Sequence, residues 1–168
     1  SSTCLVVIAR NRYSVPCEWA GHMVSTRLYP ERVEVAAVDA MVASHARLAG
    51  AGQICYDWLH YIDLVQRKPG ALRNGAPFLE LPPILLRLRQ ALLRQPAGDK
   101  AMAQVLAVVP KAGLEAVLVA VELVLEASAP NGNISIEHVH NVLARLNSPQ
   151  LPEQAQTVLH LKLIPKAD

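Results

Sequence analysis

The spacing of hydrophobic positions changes part-way along the chain. Cys4–Ala9 is a continuous apolar run, broken by the turn-like Arg10-Asn11-Arg12, and Tyr13–Val15 resumes an extended pattern before Pro16. Val24, Thr26 and Leu28 alternate with Ser25, Arg27 and Tyr29. After the turn at Pro30-Glu31-Arg32, Val33, Val35 and Ala37 alternate with Glu34, Ala36 and Val38. Asp39-Ala40 turns again, and Met41–Ala46 reads as a last strand. Short strands at close spacing, separated by turn signals, predict a small antiparallel β-barrel over residues 1–48.

Beyond a glycine-bearing loop at Leu48–Gln53, the period lengthens to that of a helix. Tyr56–Gln66 places Trp58, Ile62 and Val65 on one face, and Lys68-Pro69-Gly70 stops it. Ala71–Leu81 reads as irregular, with Asn74-Gly75 a strong turn pair. From Pro82-Pro83 onward the apolar positions form four helical stripes. The first is Ile84, Leu85, Leu88 and Leu92. The second is Met102, Val105, Leu106 and Val109, with Asp99 as expected N-cap. The third is Leu114, Val117, Leu118, Val121 and Leu125. The fourth is Val139, Val142, Leu143 and Leu146, capped by Ser135. Pro110 is either a kink or the start of the next helix. The expected fold is segregated α+β: a barrel at 1–48, a connecting segment with one helix at 49–82, an all-α bundle at 83–147, and an extended tail at 148–168. In the tail, Leu159, Leu161 and Leu163 alternate with His160 and Lys162, as in a strand or arm laid on a partner.

Composition sharpens this division. All seven aromatics lie before Leu79, and the first 79 residues also carry the whole net charge of +2. A 52% hydrophobic, 18% charged chain of 168 residues excludes intrinsic disorder. No stretch approaches the roughly 18 apolar residues of a membrane span, so a soluble protein is expected. The start at Ser1-Ser2-Thr3 reads as a piece of a longer chain. Cys4, Cys17 and Cys55 are odd in number and lack metal or redox spacing. Reduced, buried, inert cysteines are therefore expected.

Catalytic chemistry finds no foothold in the sequence. No nucleophile elbow, zinc-protease, phosphate-loop or dinucleotide signature is present. His138 and His140 stand two apart, on different faces of a helix, where metal ligands need a spacing of three or four. Neither a catalytic residue nor a metal or cofactor site is expected. The candidate chemistry is the cations Arg10, Arg12, Arg27, Arg32, Arg67, Lys68 and Arg73, nearly all arginine and interleaved with Tyr and Trp. Arginine suits bidentate phosphate contact, and the aromatics suit base stacking. A net +2 is small, and by itself it describes an ordinary solvated surface equally well.

Two blocks carry a family resemblance. Arg12-Tyr13-Ser14-Val15-Pro16, Gly21, and Val24 through Val35 resemble the small barrel that follows the catalytic core in Mu-like transposases. Tyr56-Asp57-Trp58-Leu59-His60-Tyr61, the run Arg67 through Phe78, and Gly113 through Leu118 resemble the C-terminal part of IstA-type insertion-sequence transposases. That resemblance implies a parent enzyme of the bacterial cytoplasm with a magnesium-binding Asp-Asp-Glu core, acting on DNA as a multimer with an AAA+ ATPase helper. It implies that this segment lacks the catalytic triad and supports DNA binding and assembly. The alternative is a protein-interaction module for self-association or helper recruitment, without direct DNA contact. Leu159, Leu161 and Leu163 are then the expected partner contacts.

Overall fold

Strands β1 (Leu5–Ile8) and β2 (Asn11–Ser14) form a two-residue hairpin with Ile8 opposite Asn11. Its turn residues Ala9 and Arg10 both take positive φ, 47° and 65°, the twist that a tight hairpin requires. The computed structural model describes residues 3–38, 40–129 and 132–148. Strands β3 (Ser25–Leu28), β4 (Arg32–Ala37) and β5 (Ala40–Ala46) form an antiparallel meander. A two-residue strand, β6 (Ile54–Cys55), pairs parallel with β2 and completes a second sheet, ordered β1-β2-β6.

Two three-stranded sheets therefore stand where a single antiparallel barrel is expected. Among the described residues no pairing closes them into a ring. The inward faces still share one core. Ile8, Tyr13 and Val15 from one sheet meet Val33, Val35 and Ala43 from the other. Alternation explains the choice of face: Val33 and Val35 are fully buried, while Arg32 of the same strand is exposed. Asn11 ties β2 to the loop before β6. Its Nδ2 donates to Gly50 O at 3.0 Å, and its Oδ1 accepts from Gln53 N at 3.0 Å. That clip lies in the stretch expected only to be a loop.

A 3₁₀ turn at Trp58–Tyr61 leads into α1 (Ile62–Arg67), followed by α2 (Ala71–Asn74) and a 3₁₀ turn at Ala76–Glu80. The four predicted helices follow as α3 (Pro83–Leu92), α4 (Gly98–Ala112), α5 (Leu114–Ser128) and α6 (Ile136–Asn147). Their stripes pack as expected: Leu85, Leu88, Met102, Leu106, Val117, Val121, Val139 and Leu143 are all buried. Pro110 lies within the last turns of α4. Gly113, at φ 86°, makes the break before α5. Asp99 is not the N-cap of α4; Ala97 in the left-handed region holds that place, and Asp99 lies in the first turn. Ser135 is the N-cap of α6, though its side chain makes no capping bond.

Trp58, Tyr61 and Phe78 sit in the helical core, as do Cys4 and Cys17. The aromatic segment expected as a connection is thus part of the core that the helices bury. Cys4 and Cys17 form a disulfide, which corrects the expectation of three reduced thiols; Cys55 is free. Closure of the β1–β2 hairpin, in which Val15 N donates to Cys4 O at 2.9 Å, brings them together. A spacing of 13 residues says nothing of that approach. No helix among the described residues is long and apolar enough to cross a membrane.

Candidate nucleic-acid interface

Alternation along β3 and β4 turns Arg27, Arg32 and Glu34 outward, with Arg27 directly opposite Glu34 in the antiparallel register. Arg32 Nε donates to Glu34 Oε1 at 2.8 Å, and its guanidinium lies 4.1 Å from the centre of the Tyr29 ring. The hydrogen bond raises the pKa of Arg32 and lowers that of Glu34. Arg47, counted in the sequence charge but not chosen as a contact, completes the group. Its Nη1 donates to Tyr29 O at 3.2 Å. Arg27 and Arg32 thus flank the Glu34 carboxylate, and Arg47 is tied to the Tyr29 backbone, on the outer side of the meander. Arg32 is ion-paired with Glu34, whereas Arg27 and Arg47, both exposed, make no ion pair among the described residues. The signal that finds Arg47 is the β4–β5 pairing, invisible in a residue count.

The other expected contacts fall in separate places. Arg10 occupies the hairpin turn. Arg12, on β2, borders an apolar groove of about 360 Å³ walled by Ile54, Tyr56, Tyr61 and Phe78. Burial raises the Tyr61 phenol to about 12, and its hydroxyl donates to Thr3 O at 3.2 Å. Arg67 shares a groove of about 340 Å³ with Lys100, contributed by α4. Lys68 is the C-cap residue of α1. Arg73 is exposed on α2, and its carbonyl and that of Leu72 accept from Arg89 of α3 at 3.0 and 2.8 Å. Leu72 and Phe78 are buried in the core, and a Cβ on Gly75 would lie 2.9 Å from the Phe78 ring. The Lys-Pro-Gly-Ala-Leu-Arg-Asn-Gly-Ala-Pro block is therefore a clip that seats α2 against α3. Leu159, Leu161 and Leu163 lie outside the described residues.

A buried polar chain joins the two sheets to the first helical turn. Asp57 N donates to Ser14 Oγ at 2.8 Å, and the Ser14 hydroxyl is also hydrogen-bonded to His60 Nδ1 at 2.8 Å. His60 Nε2 lies 3.7 Å from Asp57 Oδ2. His45 Nε2 donates to Ser14 O at 2.6 Å, so its Nδ1 is the acceptor facing Cys55 Sγ at 3.6 Å. Burial raises the Cys55 pKa and keeps it a thiol that can donate. Ser14, His60 and Asp57 are the residue types of a hydrolytic triad. Ser14 is fully buried, however, and already accepts from an amide, so no substrate reaches it. The chain of bonds is a clamp. Among the described residues no set of three or more His, Cys, Asp or Glu side chains is placed to hold a metal ion, and no magnesium-dependent step is assigned to them.

Burial, reinforced by the neighbouring His45, lowers the His60 pKa below its ordinary 6.5 against the opposing pull of Asp57. The unfolded chain therefore binds the proton first, and stability is full above pH 6.5 and lost as pH falls below it toward the folded value. Thermal unfolding followed from pH 7.5 to 5 should show a falling midpoint. His60→Gln should flatten that slope; an unchanged slope would exclude His60 as its source.

Residues 1–57 match the family described as Mu transposase, C-terminal domain. The whole chain is 45% identical over 175 aligned positions to the transposase for insertion sequences IS1326/IS1353 of Pseudomonas aeruginosa, and equally to that of Shigella flexneri. It is 49% identical over 149 positions, 86% of this chain, to a transposase of Aminobacter aminovorans. The chain is thus a relative of insertion-sequence transposases and corresponds to a C-terminal part of them. It spans about a third of their length, 34% of the first two. No solved structure matches it.

Proposed function

We propose that this chain is the non-catalytic C-terminal region of a DNA transposase, that it holds DNA, and that it supports assembly of the transposase–DNA complex. The observation that carries the DNA reading is the outward cluster of Arg27, Arg32 and Arg47 on the meander. Arginines on an exposed sheet face match the phosphate contacts by which proteins are positioned on a duplex. Their setting in a relative of transposases supplies the partner. Such a role belongs to the compartment that holds the DNA, the bacterial cytoplasm. The two sheets, in place of one closed barrel, act together as the DNA-facing unit.

The test is the salt dependence of duplex binding, measured by fluorescence anisotropy. Affinity should fall steeply with salt. Arg27→Glu with Arg47→Glu should lower the slope of log K against log salt by about 2, since each lost phosphate contact removes about 0.9. Arg32→Glu should do less, because Arg32 is already engaged by Glu34. Absence of any affinity at low salt would remove direct DNA binding. It would favour the second reading, self-association or recruitment of an AAA+ helper through the helical half.

A further inference from the structure

The outward faces of α3 and α5 are charge opposites. On α3 and the turn that ends it, the exposed positions after Pro83 are Arg87, Gln90 and Arg94, and the segment from Pro82 to Gly98 contains no acidic residue. On α5 the exposed positions are Glu115, Val119, Glu122, Leu123, Glu126 and Ala127, and the helix contains no Lys or Arg. Val119 and Leu123 are 45% and 46% exposed, an apolar step between the carboxylates. Arg87 and Arg94 are seven residues apart, as are Glu115 and Glu122. Glu115 and Glu122 therefore span two helical turns of α5, roughly 10 Å of rise, whereas Arg94 lies in the turn just past the end of α3 at Leu92. Neither Arg87 nor Arg94 has an ion-pair partner among the described residues.

The two helices also adjoin. An open groove of about 360 Å³ runs between Arg87 and Arg94 on the α3 side and Leu125 and Ser128 at the end of α5. A surface that carries a basic face on α3 and an acidic face on α5 can pair with itself under a two-fold rotation. Each copy's α3 then meets the other copy's α5, and the assembly closes as a dimer. A DNA backbone laid in this groove, which no carboxylate lines, would gain the arginines but leave the acidic face of α5 without a partner. The juxtaposition therefore favours protein over nucleic acid.

We propose that the α3–α5 face is a homodimer interface in which Arg87 and Arg94 of each copy pair with Glu115 and Glu122 of the other, around Val119 and Leu123. This rests on the assembly part of the proposed function and names its surface; it does not depend on the DNA part. The experiment is light scattering of the whole 168-residue chain at low salt, without DNA. Wild type should show twice the monomer mass. R87E/R94E makes both faces acidic and E115R/E122R makes both basic, so each variant alone should be monomeric, with wild-type circular dichroism. Mixed in equal amounts, the two variants should recover the dimer mass, because each acidic face now meets a basic one. A monomeric wild type would overturn both the interface and self-association. A dimeric wild type whose mass survives either reversal, or reversals that the mixture fails to rescue, would overturn the interface and leave self-association standing elsewhere. Loss of DNA affinity in R87E/R94E with the dimer intact would assign these arginines to phosphate and overturn it as well.

Discussion

Gly98→Ala is expected to destabilise the protein by about 3 kcal/mol, a fall in Tm of roughly 6–12 °C for a chain this size. The sign is the informative part. In a helix interior, alanine is normally better than glycine by about 0.5–1 kcal/mol. Gly98, however, is buried as the first residue of α4, and a Cβ there would overlap the carbonyl of Leu92, the last residue of α3. That carbonyl cannot withdraw freely. Gln95 N donates to it at 2.9 Å, and the Leu92 side chain is 1% exposed in the core. The α3–α4 corner would have to open and carry Leu92 with it. Gly70→Ala is the control. Gly70 has helical φ and ψ, and a methyl added there would meet nothing within 4 Å, so alanine should stabilise by about 0.4–1 kcal/mol. Equal effects at the two glycines in chemical denaturation would refute the tight corner.

Ser14→Ala should cost about 3 kcal/mol although it removes a single oxygen. The hydroxyl accepts from Asp57 N and is hydrogen-bonded to His60 Nδ1, and its loss leaves two part-buried groups without that partner. Each buried polar group left without a partner costs about 1–3 kcal/mol. The damage should also be local before it is global. Amide exchange at Asp57 should accelerate well beyond that of Leu88, because Ser14 is the bond between β2 and the Trp58–Tyr61 turn. A stability loss within the range of an ordinary surface substitution, with Asp57 exchange unchanged, would show that the clamp is not structural.

Legibility varied with the range of the interaction. The stripes Leu85–Leu88–Leu92 and Val117–Val121 mark their helices because neighbours three and four apart share a face whatever the fold around them. The strand assignments from Leu5 to Ala46 agree with the structure to within a residue or two, because alternation is equally local. The open pair of sheets, β6 and the Cys4–Cys17 pair were out of reach for a common reason. Each depends on residues distant in sequence meeting in space, and two residues such as Ile54-Cys55 have no periodicity to read. The arginine candidates divide in the same way. Arg27 and Arg32 were legible as strand-face cations, but Arg47 joins them only through the meander. Arg87 and Arg94 were hidden because α5 balances their charge in any regional sum.

The order of residues along the chain sets the kinds of element, their succession and the side chains they bury, since these follow from local periods of polar and apolar positions. It also carries the motifs by which the kinship with transposases can be seen. How the elements meet is a property of the folded molecule: two sheets around Tyr13, aromatics drawn into the helical core, a Ser14–His60 clamp, and opposite charges on the outward faces of α3 and α5. The physical reason is that hydrophobic burial is non-directional and tolerates many arrangements. A hydrogen bond, a disulfide or a charge pairing exists only when the fold brings two distant groups to within a few ångströms.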